Sequence, residues 1–283
     1  MNAPAPGVLY LVATPIGNLE DLTRRAARVL AQADVVACED TRHTRPLLAQ
    51  VGARATLLSL HEHNERARIP QVLALLRGGK TVALVSDAGT PVISDPGTAL
   101  VAAATREGIR VEAVPGPSAV TAAVALADFP VGRFAFLGFL PRQAGERRRL
   151  LASVAALPLA LVAFEAPHRI RRTLEDLAAQ LGERRLVLAR ELTKLHEEVL
   201  RGTPAEVLAR LAERPRGEIT LVVEGAAERR ADAAAAGGDR EPPERFLDRL
   251  LARGLSRRDA ARAVAAAYGM SARAAYRLAA GRS

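Results

Sequence analysis

The stretch ALVSDAGTPVISDPG, Ala83 to Gly97, decides how this chain is read. An apolar run, Val82 to Val85, leads into a loop holding two aspartates, two glycines, two prolines and two serines. A short apolar run bounded by such turn residues is the signature of a buried strand. The loop at its end offers carboxylates and bare backbone groups to whatever binds there.

Outward from that loop, strands and helices alternate. VLYLVA (8–13) predicts a buried strand, and LTRRAARVLAQA (22–33) a helix with Leu22, Ala26, Val29, Leu30 and Ala33 on one face. DVVACE, ATLLSL, TVALVS and RVEAVPG read as further strands, interleaved with the helical patterns RPLLAQVG, RIPQVLALLRGG and TALVAAATREG. This alternation predicts an α/β domain over 1–117 with a largely parallel sheet. A second α/β block over 118–225 holds RFAFLGF, LALVAFEA, RRLVLAR, EEVLRG and EITLVVEG, with a helix starting at Thr203-Pro204-Ala205-Glu206. Its strand spacing is that of an α+β domain. Residues 226–242 read as a linker, and 243–283 as three short helices with helix-turn-helix spacing, stopped at Gly254 and Gly269. A helical cap or dimerisation arm is the alternative for that last segment.

Composition narrows the class. No run approaches the ~20 apolar residues of a membrane span, and the N-terminus lacks a basic leader, so a soluble cytoplasmic protein is expected. A single cysteine, Cys38, excludes an intramolecular disulfide. The net charge of +9 is unevenly spread: residues 240–283 carry 10 Arg against 4 acidic residues. A basic segment on a near-neutral body points to a polyanion partner.

Parallel sheets bind ligands beyond the carboxyl ends of their strands. Five polar loops leave those ends: ATPIGNLEDL, CEDTRHT, SLHEHNE, the Ser86–Gly97 segment and PGPSAVT. Neither a dinucleotide fingerprint nor a phosphate loop is present, and no G-x-S-x-G elbow accompanies Ser86 or Ser94. His61, Glu62 and His63 alternate in direction if extended, which disfavours a metal site. Asp95 reads as a cap for the helix after Pro96, with magnesium ligation beside Asp87 as the alternative.

Eight segments occur in order: LVATPIGNLEDLT, ACEDTRHT, LHEHNE, LVSDAGTPVISDPG, VPGPSAVTAAVALA, FLGFLPR, FEAPHRI and LARELTKLHEE. Together they resemble the ribosomal small-subunit methyltransferase I family, 16S rRNA (cytidine-2′-O)-methyltransferases of the tetrapyrrole-methylase-like, class III, fold. The resemblance covers roughly residues 8–225. It departs at FEAPHR, where Phe164 stands in place of an expected Tyr. It implies the two-domain class III architecture with a small C-terminal helical domain, S-adenosylmethionine as methyl donor, 16S rRNA or the small subunit as partner, and a homodimer. Backbone groups around Gly89, Thr90 and Ile93, with Ser94, and the side chain of Asp87 are then expected at the cofactor. Ser118 and Ala119 would offer helix N-terminal donors, and the class III pattern adds Ile16, Phe164, Glu165 and Leu192. A ribose 2′-hydroxyl needs a proton acceptor; Glu39, Asp40 and a desolvated Lys194 are the candidates, with His43 a further option. Lys194 reads equally as a phosphate binder. Arg42, His43, Arg45, Arg142, His168 and Arg169 are the expected RNA contacts. The alternative is the same fold acting on a tetrapyrrole or another small molecule.

Overall fold

The computed structural model describes residues 7–227, 241–253 and 255–280. Most of the linker read from sequence, and Gly254, therefore lie outside the described residues. The chain forms two compact units, Met1–Ala226 and Ala227–Ser283. Among the described residues no helix is long and apolar enough to cross a membrane.

The first unit contains two sheets. In the first, β1 (Val8–Val12), β2 (Val35–Cys38), β3 (Thr56–Ser59), β4 (Val82–Leu84) and β5 (Arg110–Val114) pair in the order β3-β2-β4-β1-β5, all parallel. β2 and β4 are buried at every position, as expected for parallel strands covered on both faces. One core contains Leu9, Ala37, Val82 and Leu84; the other contains Val12, Val36, Ala83 and Val85. The helices between the strands are α1 (Arg24–Gln32), α2 (Thr41–Gln50), α3 (Glu65–Arg77) and α4 (Thr98–Arg106).

Two helix starts differ from the sequence reading. α2 begins at Thr41, because Asp40 is its N-cap and accepts a hydrogen bond from the Arg42 N–H at 2.8 Å; Arg42 and His43 thus ride on a helix. α4 is not capped by Asp95. Glu65 of α3 supplies the acceptor, taking the N–H groups of Gly97, Ala99 and Leu100 at 3.1–3.3 Å, which leaves the Asp95 carboxyl to face elsewhere.

α5 (Ala119–Ala125) follows β5 and packs on the second sheet. That sheet has the order β6-β7-β10-β8-β9, from Phe134–Phe139, Ala160–Glu165, Ile219–Val223, Leu186–Arg190 and Glu198–Gly202. Only β6 and β7 run parallel. α6 (Ala144–Val154), α7 (Ile170–Leu181) and α8 (Pro204–Arg210) cover one face, and α8 opens with a full Thr203/Glu206 capping box.

The second unit is α9 (Pro243–Ala252), α10 (Arg257–Tyr268) and α11 (Ala272–Ala280), closed over Leu247, Ala260, Ala261, Val264, Ala275 and Ala279. Ser256 caps α10, and Gly269 ends it in the left-handed conformation at φ 64°.

Candidate functional site

All five carboxyl-end loops of the first sheet reach one cleft of about 600 Å³. β1 contributes Ile16, β2 Glu39, β3 Glu62, β4 the residues Asp87–Thr90 and Ile93–Asp95, and β5 Ser118 and Ala119. The second sheet closes it with Phe139, Arg142, Phe164, Glu165, Ala166, Pro167 and Gly217–Thr220. Leu192 lines a small annex that shares Ile16, Ala119, Glu218 and Thr220 with the cleft. A separate cavity of about 540 Å³ sits at the amino ends of β2 and β3. There Asp34 is taken by Lys80 and the Thr81 N–H, and none of the sequence motifs reaches it.

The β4 loop is held in an unusual shape. Val92 and Ser94 have φ of 75° and 66°, and Gly89 and Gly97 lie at 82° and 128°. A β-branched residue at positive φ is costly and persists only where its surroundings impose it. Val92 packs against the core that holds Leu84 and Leu100, and the first half of the loop is tied down by Thr14. Its N–H donates to the Gly89 carbonyl at 2.9 Å, the Gly89 N–H returns a bond at 3.1 Å, and its hydroxyl donates to the Ser86 carbonyl at 3.2 Å. The expectation that Gly89 leaves its backbone groups for a ligand is corrected by this bridge. What Gly89 provides is space: a Cβ there would come within 3.3 Å of Ile16 Cγ2. Thr90 ties the same loop to β5, donating to the Pro117 carbonyl at 3.2 Å.

Asp87 links two loops. One oxygen accepts the Asp40 N–H at 3.1 Å, and the other lies 3.3 Å from His43 Nδ1. Beside it, burial pushes the Asp95 carboxyl up to about 6, with the Glu39 charge adding to the effect. Burial, then Asp87, likewise raises Glu39. Asp40 moves the other way. Hydrogen bonds from the Arg42 guanidinium and N–H hold it far below the usual carboxylate range. A helix cap so firmly ionised is a weak base, so Asp40 is withdrawn as proton acceptor.

Lys194 is also corrected. A basic role requires a lowered pKa. Burial pulls it down, but Glu191 and Glu218, each 2.8 Å from Nζ, outweigh that and raise it. The ammonium instead pins a loop in which Glu191 and Thr193 take φ of 53° and 65°. Gly217 and Gly17 allow this packing; a Cβ on either would collide with Glu191 or with Lys194 and Leu192.

Glu165 is buried, and its carboxylate accepts from Thr173 Oγ1 at 2.6 Å and the Ala166 N–H at 2.7 Å and pairs with Arg169. Arg169 also donates to the Leu140 carbonyl at 3.2 Å. It is therefore an internal brace, which corrects its reading as a surface RNA contact. Arg42, His43, Arg45, Arg142 and His168 are exposed, and among them Arg142 lines the cleft. Phe164 meets Phe136 edge-to-face and Phe139 at a tilt, with centroids 5.0 and 5.4 Å away. Among the described residues no group of three or more His, Cys, Asp or Glu is arranged to hold a metal ion.

Sequence reasoning missed Asp95, Phe139, Glu218 and Thr220 as cleft residues. For Asp95 a signal existed: proximity to Asp87 and Ser94 in a loop too rich in turn residues to be only a cap.

A parallel sheet whose strand ends meet a second, mixed sheet across an acid-lined cleft defines a methylase class, and comparison bears this out. The family model described as Tetrapyrrole (Corrin/Porphyrin) Methylases matches residues 8–208. Uroporphyrin-III-C-methyltransferase from Thermus thermophilus superposes with a TM-score of 0.55 at 26% identity, covering 76% of this chain and 94% of that one. The methyltransferase CobJ gives a TM-score of 0.59 at 22% identity, over 80% of this chain and 97% of that one. Closer sequence relatives carry one name. A Ribosomal RNA small subunit methyltransferase I from Thermotoga maritima is 50% identical over 77% of this chain and 99% of its own length. One from Halalkalibacterium halodurans is 42% identical over 96% of this chain and 94% of its own. The chain belongs to the ribosomal RNA small subunit methyltransferase I family.

Proposed function

We propose that this protein transfers a methyl group from S-adenosylmethionine to the ribose 2′-oxygen of a cytidine in 16S rRNA, with Asp95 as proton acceptor. Membership of the rRNA methyltransferase family and a cleft built from strand-end loops carry the reading, and within that cleft burial raises the Asp95 and Glu39 carboxyls. A hydroxyl nucleophile must lose its proton as the new bond forms, and a carboxylate of raised pKa is the suited acceptor near neutral pH.

The residues present fit the donor. It is cationic, and Glu39, Glu62, Asp87 and Asp95 make one wall of the cleft acidic. Gly89, lacking a Cβ, lets Ile16 pack against the β4 loop at the edge of the same cleft. When bound, S-adenosylmethionine supplies a methyl group made electrophilic by its sulfonium. Ile16, Asp87, Gly89, Thr90, Ile93, Ser94, Ser118, Ala119, Phe164, Glu165 and Leu192 form its surroundings, Gly89 through space and Glu165 as wall rather than free carboxylate. Asp95 is chosen because burial carries its pKa up to about 6, and the Glu39 charge adds to that rise. An acid wall disfavours phosphate, so the RNA backbone is tracked at the rim by Arg142, with Arg42, His43, Arg45 and His168 outside it. The protein works in the cytoplasm as a homodimer on this reading.

Incubation of methyl-labelled donor with either small ribosomal subunits or a porphyrinoid, followed by mapping of 2′-O-methyl groups, tests it. One labelled cytidine in 16S rRNA is expected; label on a porphyrinoid, or on a base carbon, overturns it.

A further inference from the structure

The second unit has its own chemistry, which the cleft does not use. α10 and α11 are joined by the short turn Gly269-Met270-Ser271, so α11 stands where a helix-turn-helix places its reading helix. α11 reads ARAAYRLAA: it contains two arginines, one tyrosine and no acidic residue. Arg273, Tyr276 and Arg277 fall at i, i+3 and i+4 and are therefore neighbours on one helix face. All three are exposed, and Tyr276 keeps 50% of its surface accessible.

Several polar residues of this unit are already engaged. Arg249 pairs with Glu241 at 2.8 Å and lies 5.0 Å from the Phe246 ring centroid. Asp259 bonds Ser256 at the start of α10, and the Tyr268 hydroxyl donates to the Glu241 carbonyl at 2.6 Å. Among the described residues no ion pair or hydrogen bond engages the side chains of Arg273, Tyr276 or Arg277, nor those of Arg257, Arg258 and Arg262 on α10. Uncompensated guanidinium groups flanking an exposed aromatic ring have the chemistry of a single-stranded nucleic-acid contact: phosphates for the arginines, an unstacked base for the ring.

Comparison separates this surface from catalysis. The Thermotoga maritima relative is matched over 99% of its length by 77% of this chain. A stretch the size of the second unit thus has no counterpart in it, and the family model ends at residue 208, before that unit starts. A relative that carries the methyltransferase name thus has no match to this unit.

We propose that the α11 face, Arg273, Tyr276 and Arg277, is a second RNA contact that holds an unpaired segment of the substrate by two phosphates and one stacked base. The inference rests on the rRNA reading above. It assigns to this face affinity and salt dependence, and no part in methyl transfer.

The test uses the full chain and measures three quantities: affinity for small-subunit RNA against salt, cofactor affinity by calorimetry, and methyl transfer at saturating RNA. For the double variant Arg273→Ala/Arg277→Ala, the slope of log affinity against log salt should fall by about 1.4, two single-strand phosphate contacts. Tyr276→Ala should weaken binding about 5- to 100-fold with the slope unchanged, and Tyr276→Phe should restore it. Cofactor affinity and saturated turnover should match the parent in every variant. Unchanged RNA affinity in both alanine variants overturns the proposal. So does a loss of self-association in sedimentation that accounts for the weakened binding, which assigns the face to a second copy. If the parent binds RNA through this face but methylates none, the catalytic reading fails and this one stands.

Discussion

The two walls of the cleft are built on opposite plans. The wall from the first sheet is a set of strand-end loops carrying Glu39, Glu62, Asp87 and Asp95. The wall from the second sheet presents Phe139, Phe164, Ala166, Pro167, Ile219 and Arg142, and its two acids are paired, Glu165 with Arg169 and Glu218 with Lys194. A parallel sheet delivers all its carboxyl ends to one edge, so charges from distant parts of the sequence accumulate there. A mixed sheet spreads its strand ends over two edges and offers a surface instead. The contrast divides the labour: acids hold the cationic donor and accept the proton, and rings and one guanidinium hold what stacks and what is anionic.

Removing the acid nearest neutrality should have the largest effect. Asp95→Asn is expected to lower kcat by about 10²–10⁴-fold, the usual contribution of a positioned base, with cofactor affinity little changed. Single-turnover methylation alongside calorimetry checks this; a parallel fall in cofactor affinity moves Asp95 to the donor. In the parent, the rate should rise with pH through about 6 as Asp95 ionises. Stability should run the other way. A carboxyl raised on folding binds more protons in the folded state, so stability is lost as pH climbs from its ordinary value toward about 6. At neutral pH Asp95→Asn should therefore gain about 1–2 kcal/mol, discounted for its partial exposure. Loss of activity with gain of stability marks a functional residue; a loss of both breaks the division between the walls.

The aromatic wall comes next. Phe164 contacts both Phe136 and Phe139, so Phe164→Ala removes a ring and loosens its neighbour. The loss of one stacked or packed aromatic, ~1–3 kcal/mol, should raise the KM for donor or RNA about 5- to 100-fold with kcat less affected. A change confined to kcat would place the reacting centre on this wall.

The loops of the first wall were legible in the residues themselves, whereas Phe164 and Glu165 of the second came only through the family resemblance, and the reason is local. Strand-end loops of a parallel sheet are contiguous segments rich in Gly, Pro and Asp, so SDAGTPVISDPG and PGPSA announce themselves. The strands themselves were equally plain, since VLYLV and VVAC are apolar runs of the right length. Phe139 and Thr220 sit within ordinary strand patterns, and nothing in FAFLGF or ITLVV distinguishes a cleft position from a core one. Roles depending on partners also escaped. Asp40 and Lys194 are chemically suited to proton transfer, but Arg42 fixes the first as an ionised cap, and Glu191 with Glu218 fixes the second as an ammonium. Likewise Asp95 looked like a cap because the true one, Glu65, lies in a different helix.

Lys194 tests that correction at moderate amplitude. If it acts by pinning the Glu191–Thr193 loop, Lys194→Met should weaken donor binding about 3- to 10-fold, the order expected when one partner of a charge-assisted pair is lost. Glu218→Gln should reproduce part of the effect, because it removes one of the two carboxylates at Nζ. Abolished turnover with donor affinity intact would restore Lys194 to the chemistry.

Arg42 should matter least. Its guanidinium is 88% exposed and forks onto Asp40, the cap of its own helix. An exposed pair of this kind exchanges one set of solvated contacts for another. The N-cap bond from Asp40 to the Arg42 N–H uses the backbone and survives Arg42→Ala. Turnover and RNA affinity should therefore stay within about threefold of the parent, while the Asp40 carboxyl, freed of its guanidinium, rises toward its ordinary value in an NMR titration. If RNA affinity instead falls as far as in Arg142→Ala, phosphate is being read on α2 as well, and the anion-binding side of the cleft extends onto the first wall.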